Sequence, residues 1–104
     1  MPLREYAGRQ VEVNEEGFLV DRAQWTRGIG EAIAAEAGMT LTPDHWKVIE
    51  FCRADTERQG QPPTVRRIAK ESGVDMKRLY QLFPKGPGKL AARIAGLPKP
   101  QGCV

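Results

Sequence analysis

The sequence is poor in the residue types that build most small active sites. It has two cysteines, Cys52 and Cys103, and one histidine, His45. Two thiols cannot make a disulfide scaffold. One imidazole and two distant thiols do not approach the ligand spacing of a zinc site. No metal or other cofactor is therefore expected, and a Ser-His-Asp type of site would have to use His45. Long apolar runs are also missing: none approaches the ~20 residues of a spanning helix. The opening MPLREYAGRQ lacks the apolar centre of a secretion signal. The expectation is a cytoplasmic protein with no membrane partner, and a reducing compartment argues against a Cys52–Cys103 bridge as a structural staple.

What is present is one domain's worth of chain, 104 residues, 40% apolar and 28% charged. The charge is unevenly placed. Residues 1–63 carry 7 Lys/Arg and 11 Asp/Glu, net −4, whereas residues 64–104 carry 9 Lys/Arg and 2 Asp/Glu, net +7. Such asymmetry fits an anionic partner, a local field that stabilises an anion on the protein itself, or a plain solvated surface.

The pattern predicts a mainly α chain with a small N-terminal β-hairpin, an α+β domain over 1–95. Val11 and Val13 alternate with polar residues, Asn14 to Gly17 supplies turn chemistry, and Phe18-Leu19-Val20 returns, which places the hairpin at 9–20. Asp21 can cap a helix over 22–37, with Trp25, Ile29 and Ile33 at four-residue spacing. Thr42-Pro43-Asp44 opens a helix over 43–58 that stops before Gly60. Thr64 caps 65–72, Asp75 caps 76–83, and a last helix covers 89–95. The Pro- and Gly-rich end, 96–104, reads as a mobile arm carrying Cys103.

Two constellations are candidate sites. Ala69, Gly73 and Leu79 fit the first helix, tight turn and second helix of a helix-turn-helix. Its second helix offers Lys77, Arg78 and Gln81 as nucleic-acid contacts, against the plain reading of two short helices packed through small residues. The other candidate is Cys103. Penultimate, beside Gly102, it makes poor core filler, and Lys85, Lys89 or Arg93 would favour its thiolate. From Gly96 an extended arm would reach ~25 Å. Cys52, mid-helix beside Val48 and Ile49, reads as an inert core thiol. His45, Trp25 and Trp46 read as packing residues.

The strings Leu82-Phe83-Pro84-Lys85-Gly86-Pro87-Gly88, Leu41-Thr42-Pro43-Asp44-His45-Trp46 and Gly17-Phe18-Leu19 resemble the DsrC/TusE family, as does the ending Gly96-Leu97-Pro98-Lys99-Pro100-Gln101-Gly102-Cys103-Val104. The resemblance covers essentially the whole chain. It implies a sulfur-relay carrier whose penultimate cysteine, here Cys103, accepts sulfur as a persulfide. The resemblance further implies a sulfurtransferase-type carrier without an independent multiple-turnover active site. The implied partners are a sulfur-donor protein, such as a TusBCD-like complex, and an acceptor enzyme, a tRNA thiouridylase or a sulfite reductase. Members of the DsrC type carry a second cysteine ten residues upstream of the first; here that position is Arg93. The single-cysteine pattern is similar to TusE and to tRNA 2-thiouridine synthesis. The alternatives are a DsrC-like partner subunit of dissimilatory sulfite reductase, and a helix-turn-helix DNA-binding regulator built on the Thr64–Phe83 unit; proximity to tRNA or DNA is a further expectation.

Overall fold

The computed structural model describes residues 2–84 and 86–100. The chain opens with an antiparallel hairpin of β1 (Leu3–Tyr6) and β2 (Arg9–Glu12), with Leu3 opposite Glu12 and Tyr6 opposite Arg9. Ala7 and Gly8 both have positive φ, 53° and 78°, the backbone sense that matches the twist of paired strands. The expected hairpin at 9–20 is therefore corrected. Its first half is the second strand of a hairpin that begins at Leu3. The Asn14–Gly17 reversal exists, with the Asn14 side-chain oxygen accepting from Glu16 and Phe18 N–H, but it closes only a single Val13–Leu19 bridge. β1 leaves little trace in the sequence because three of its four residues are exposed, so it has almost no inward stripe.

The expected helix over 22–37 is two pieces. Asp21 accepts from Ala23 N–H and caps one 3-10 turn, Arg22–Gln24. Trp25 is extended, and Thr26 caps α1 (Arg27–Glu36) by accepting from Ile29 N–H at 3.2 Å. Two capping side chains five residues apart each start their own helix, and the break frees the Trp25 ring to leave the helix axis. Gly38, at φ 78°, closes α1: Met39 N–H reaches Ala34 O and Gly38 N–H reaches Ala35 O.

The remaining helices fall within two residues of expectation: α2 (Pro43–Gln59), α3 (Val65–Glu71), α4 (Met76–Leu82) and α5 (Pro87–Ile94). α5 starts early because Pro87, its φ already helical, occupies the first turn. Phe18, Ile29, Ile33, Ile49, Ile68, Leu79, Phe83 and Ile94 fill one core, with α5 packed against α1 and α2.

The arm expected to be mobile from residue 96 begins as part of the body. Gly96 (φ 72°) bonds to Arg93 O, Leu97 N–H bonds to Ala92 O at 2.9 Å, and the Leu97 side chain is 0% exposed. This is the same left-handed closure as at Gly38. Pro100 is also buried. The physical reason is the apolar residue after the glycine, which such a closure drops back onto its own helix.

α2 and α3 are joined by one buried carboxylate. Asp55, 0% exposed, receives Arg67 Nε and Nη2 at 2.8 Å each and Arg58 Nη2 at 2.9 Å. The Arg67 hydrogen bonds stabilise the carboxylate and hold its pKa below the ordinary aspartate value of 3.8. A lowered native pKa stabilises the fold above 3.8, and that contribution disappears as the pH falls through the native value. Asp55→Asn should cost roughly 2–3 kcal/mol at neutral pH, the scale of hydrogen bonds to a charged group. Denaturation curves of variant and parent should converge in acid; a constant difference down to low pH would contradict the assignment.

Candidate functional site

Lys85 and Cys103 lie outside the described residues, so the site is built from what surrounds the last described stretch. Lys89 and Arg93, one turn apart on α5, face a hollow of about 620 Å³ between α5, the end of α1 and the 14–18 turn. Phe18, Met39 and Leu90 form its apolar wall; Glu16, Lys89 and Arg93 supply its charge. The structure thus brings together two of the cations expected to favour the thiolate. Neither projects freely.

Arg93 Nη2 donates to Glu36 Oε1 at 2.6 Å, and the same carboxylate accepts from Tyr6 Oη at 3.1 Å and Arg4 Nη1 at 3.2 Å. The guanidinium lies over Gly17, where an added Cβ would sit 3.3 Å from Nε. That Nε is buried with no hydrogen-bond partner among the described residues. Glu16 is shared likewise, with Lys99 Nζ at 3.0 Å and Lys89 Nζ at 3.7 Å. Each of the two carboxylates meets two cations, so these pairings leave positive charge uncancelled. Sequence reasoning missed Glu16 and Glu36, because nothing local marks a distant carboxylate as a partner.

Cys52 is 1% exposed, and burial, with Asp55 nearby, pushes its thiol up to about 12. It is unsuited to nucleophilic chemistry near neutrality. His45 is buried and structural. Thr42 N–H donates to its Nδ1 at 3.0 Å, so Nε2 carries the proton and donates to Leu82 O at 2.8 Å. It completes a capping box on α2 and ties that helix to the end of α4. The sequence did not reveal this use, since the usual residue at that position is Glu or Gln.

Lys77, Arg78 and Gln81 are all exposed on α4, as the helix-turn-helix reading requires. Arg78, however, is tied to Asp44 at 3.1 Å and to Gln81 at 3.3 Å. That leaves Lys77 as the one cation of this trio without an ion pair among the described residues, on a helix of seven residues. Among the described residues no helix is long and apolar enough to cross a membrane.

Trp25 and Arg53, read from the sequence as a packing residue and not at all, converge on the end of α5. Trp25 Nε1 donates to Ile94 O at 2.7 Å, and Arg53 Nη1 donates to Ala95 O at 2.8 Å. The Arg53 guanidinium lies 4.3 Å from the Trp25 ring centroid, and Trp46 meets Trp25 edge-on at 6.5 Å. The signal that could have found this was Gly30 and Gly96, both pressed against the same indole.

The hydrogen bond from Lys99 holds the Glu16 carboxyl below its ordinary 4.5. In an NMR titration Glu16 should lose its proton below that value and move back toward it in Lys99→Met, and in high salt, which screens exposed pairs. A Glu16 titration unaffected by Lys99→Met would show that residue 99 is not seated there.

Comparison with known proteins follows the same outline. The family model described as DsrC like protein matches residues 5–104. The chain is 42% identical over 100 residues to the dissimilatory-type sulfite reductase subunit gamma of Nitratidesulfovibrio vulgaris, covering 95% of each chain. It is 37% identical over 106 residues to the sulfurtransferase TusE of Escherichia coli K12, covering 95% of this chain and 97% of that one. The crystal structure of dissimilatory sulfite reductase I superposes with a TM-score of 0.88 at 39% identity, over 99% of this chain and all of its counterpart. The NMR structure of Allochromatium vinosum DsrC superposes at 0.85 and 39%, over 98% and 97%. With the match running from the first hairpin through the Cys103 segment, this chain belongs to the DsrC-like protein family.

Proposed function

We propose that the protein is a sulfur-relay carrier that takes sulfur as a persulfide on Cys103 and passes it to an acceptor enzyme. The observation that carries this reading is the contrast between its two thiols. The family match extends through Cys103, while Cys52 is sealed in the core with its ionisation pushed to about 12. The relatives named as sulfurtransferase TusE and as sulfite reductase subunit gamma support sulfur transfer as the shared theme.

The step balances without an outside oxidant. The Cys103 thiolate attacks the terminal sulfur of a donor persulfide, the donor's S–S bond breaks, and the donor leaves as a thiolate. A new S–S bond stands on Cys103, which has gained one sulfur atom. A second exchange discharges it: an acceptor thiolate attacks the outer sulfur, the S–S bond on Cys103 breaks, Cys103 leaves as a thiolate, and the acceptor holds the persulfide. Lys85, Lys89 and Arg93 are proposed to favour the anionic forms of Cys103; Lys89 and Arg93 would act through the positive excess that Glu16 and Glu36 leave uncancelled.

Arg93 stands where the two-cysteine members of the family have their upstream thiol, and it is held by Glu36 at 2.6 Å. An intramolecular Cys–Cys cycle through that position is therefore closed to this chain, so sulfur must arrive from and leave to other molecules. This favours a TusE-like relay, with a TusBCD-like donor and a tRNA thiouridylase as acceptor, over a two-thiol role with sulfite reductase. The DNA-binding reading gains nothing from a helix whose Arg78 is already neutralised by Asp44.

After incubation with a persulfide donor, alkylation and peptide mass analysis, the C-terminal peptide should carry one additional sulfur. Cys52→Ala should load as the parent does and Cys103→Ser should not load. A Cys103→Ser protein that gains sulfur as well as the parent would refute the assignment.

A further inference from the structure

We infer that Trp25 and Arg53 are positioning residues: they fix the point from which the Cys103-bearing end of the chain leaves the body. The inference rests on the carrier reading for its purpose, but on described residues for its geometry. The last carbonyls of any helix lack partners within it. In α5 the Gly96 closure takes Ala92 O and Arg93 O. Ile94 O and Ala95 O are then taken by Trp25 Nε1 and Arg53 Nη1, from 69 and 42 residues away in sequence. Two side-chain donors on the exit turn are more than ordinary closure of an eight-residue helix requires.

The donors are themselves held. Arg53 stacks on Trp25, Trp25 meets the Trp46 edge, and Arg27 sits 3.9 Å from the Trp46 centroid on the outer side. The indole is also wedged between two glycines. A Cβ on Gly30 would come within 2.9 Å of Trp25 Cζ2, and one on Gly96 would overlap the ring itself. Trp25 is only half-buried. Its ring lies against the backbone of residues 94–96, which distinguishes it from a side chain that merely fills the core.

The consequence is a short tether. With Gly96 and Leu97 fixed and Pro100 buried, Cys103 lies three residue steps beyond the body. That is at most about 10 Å of extended chain, against ~25 Å if the arm began at Gly96. A partner that grips the body then meets the sulfur at high effective concentration, an advantage that falls as the tether lengthens.

The test attaches a nitroxide to Cys103 in the full-length 15N-labelled protein, Cys52 being sealed. In the parent, paramagnetic broadening should concentrate on the 14–18 turn, where Lys99 meets Glu16. Trp25→Phe keeps a ring but loses the donor, Arg53→Met keeps the stem but loses the charge, and Gly96→Ala displaces the indole. In each, broadening of that turn should fall at least twofold and spread over the body. Leu97 amide exchange should rise at least tenfold while the amides around Cys52 keep their rates. A parent whose broadening is already spread over the body would overturn the proposal. So would variants that keep the parent profile, or in which Leu97 and core amides accelerate together. Loading of the parent by inorganic polysulfide judges the carrier reading separately: if Cys103 takes up no sulfur, that reading falls, while the broadening profile still decides the positioning role of Trp25 and Arg53.

Discussion

The architecture depends on one backbone turn, at Gly96. Because that residue adopts a left-handed conformation, the chain reverses over the end of α5 and Leu97 enters the core instead of extending into solvent. A side chain there would be strained by the backbone and would collide with Trp25. The break before α1, the glycine at position 30 and the reach of Arg53 all serve the same junction. The last helix is thereby both part of the core and the mount for the segment that leads to Cys103.

The charge asymmetry of the sequence is largely answered from within. Each of the pairs Arg67–Asp55, Arg78–Asp44, Arg93–Glu36, Lys89–Glu16 and Lys99–Glu16 joins a cation of the basic C-terminal part to an acid of the first 63 residues. Except at buried Asp55, such pairs contribute little stability individually. Their collective effect is register: they hold the C-terminal helix and the residues after it against the N-terminal part. What stays outward is the excess at the hollow, where Glu16 and Glu36 each face two cations. There the field can favour an anion.

The helices were legible because their starts are written in local chemistry. Thr42, Thr64 and Asp75 each cap the expected helix, accepting from His45, Arg67 and Arg78 N–H. The first strand was not legible, since Leu3-Arg4-Glu5-Tyr6 has almost no buried face, and neither was the break at Trp25, where the apolar spacing runs on across two separate caps, Asp21 and Thr26. At the site, Lys89 and Arg93 could be nominated from the sequence, and Cys103 from its unusual place in the chain and a family resemblance. Their carboxylate partners and the Trp25–Arg53 junction could not, because no spacing rule links positions so far apart. His45 was recognisable as a packing residue, but its two hydrogen bonds, one from Thr42 and one to Leu82, needed the fold.

The account stands on sulfur entering and leaving through a single thiol beyond Pro100. The most direct measurement is a radiosulfur chase: the protein is loaded from a labelled persulfide donor, freed of donor, and mixed with an acceptor thiol. The account predicts that the label resides on the C-terminal peptide before the chase and is lost to the acceptor during it, with Cys103→Ser carrying none. Label that sits elsewhere in the chain, or that stays bound through the chase, would contradict it.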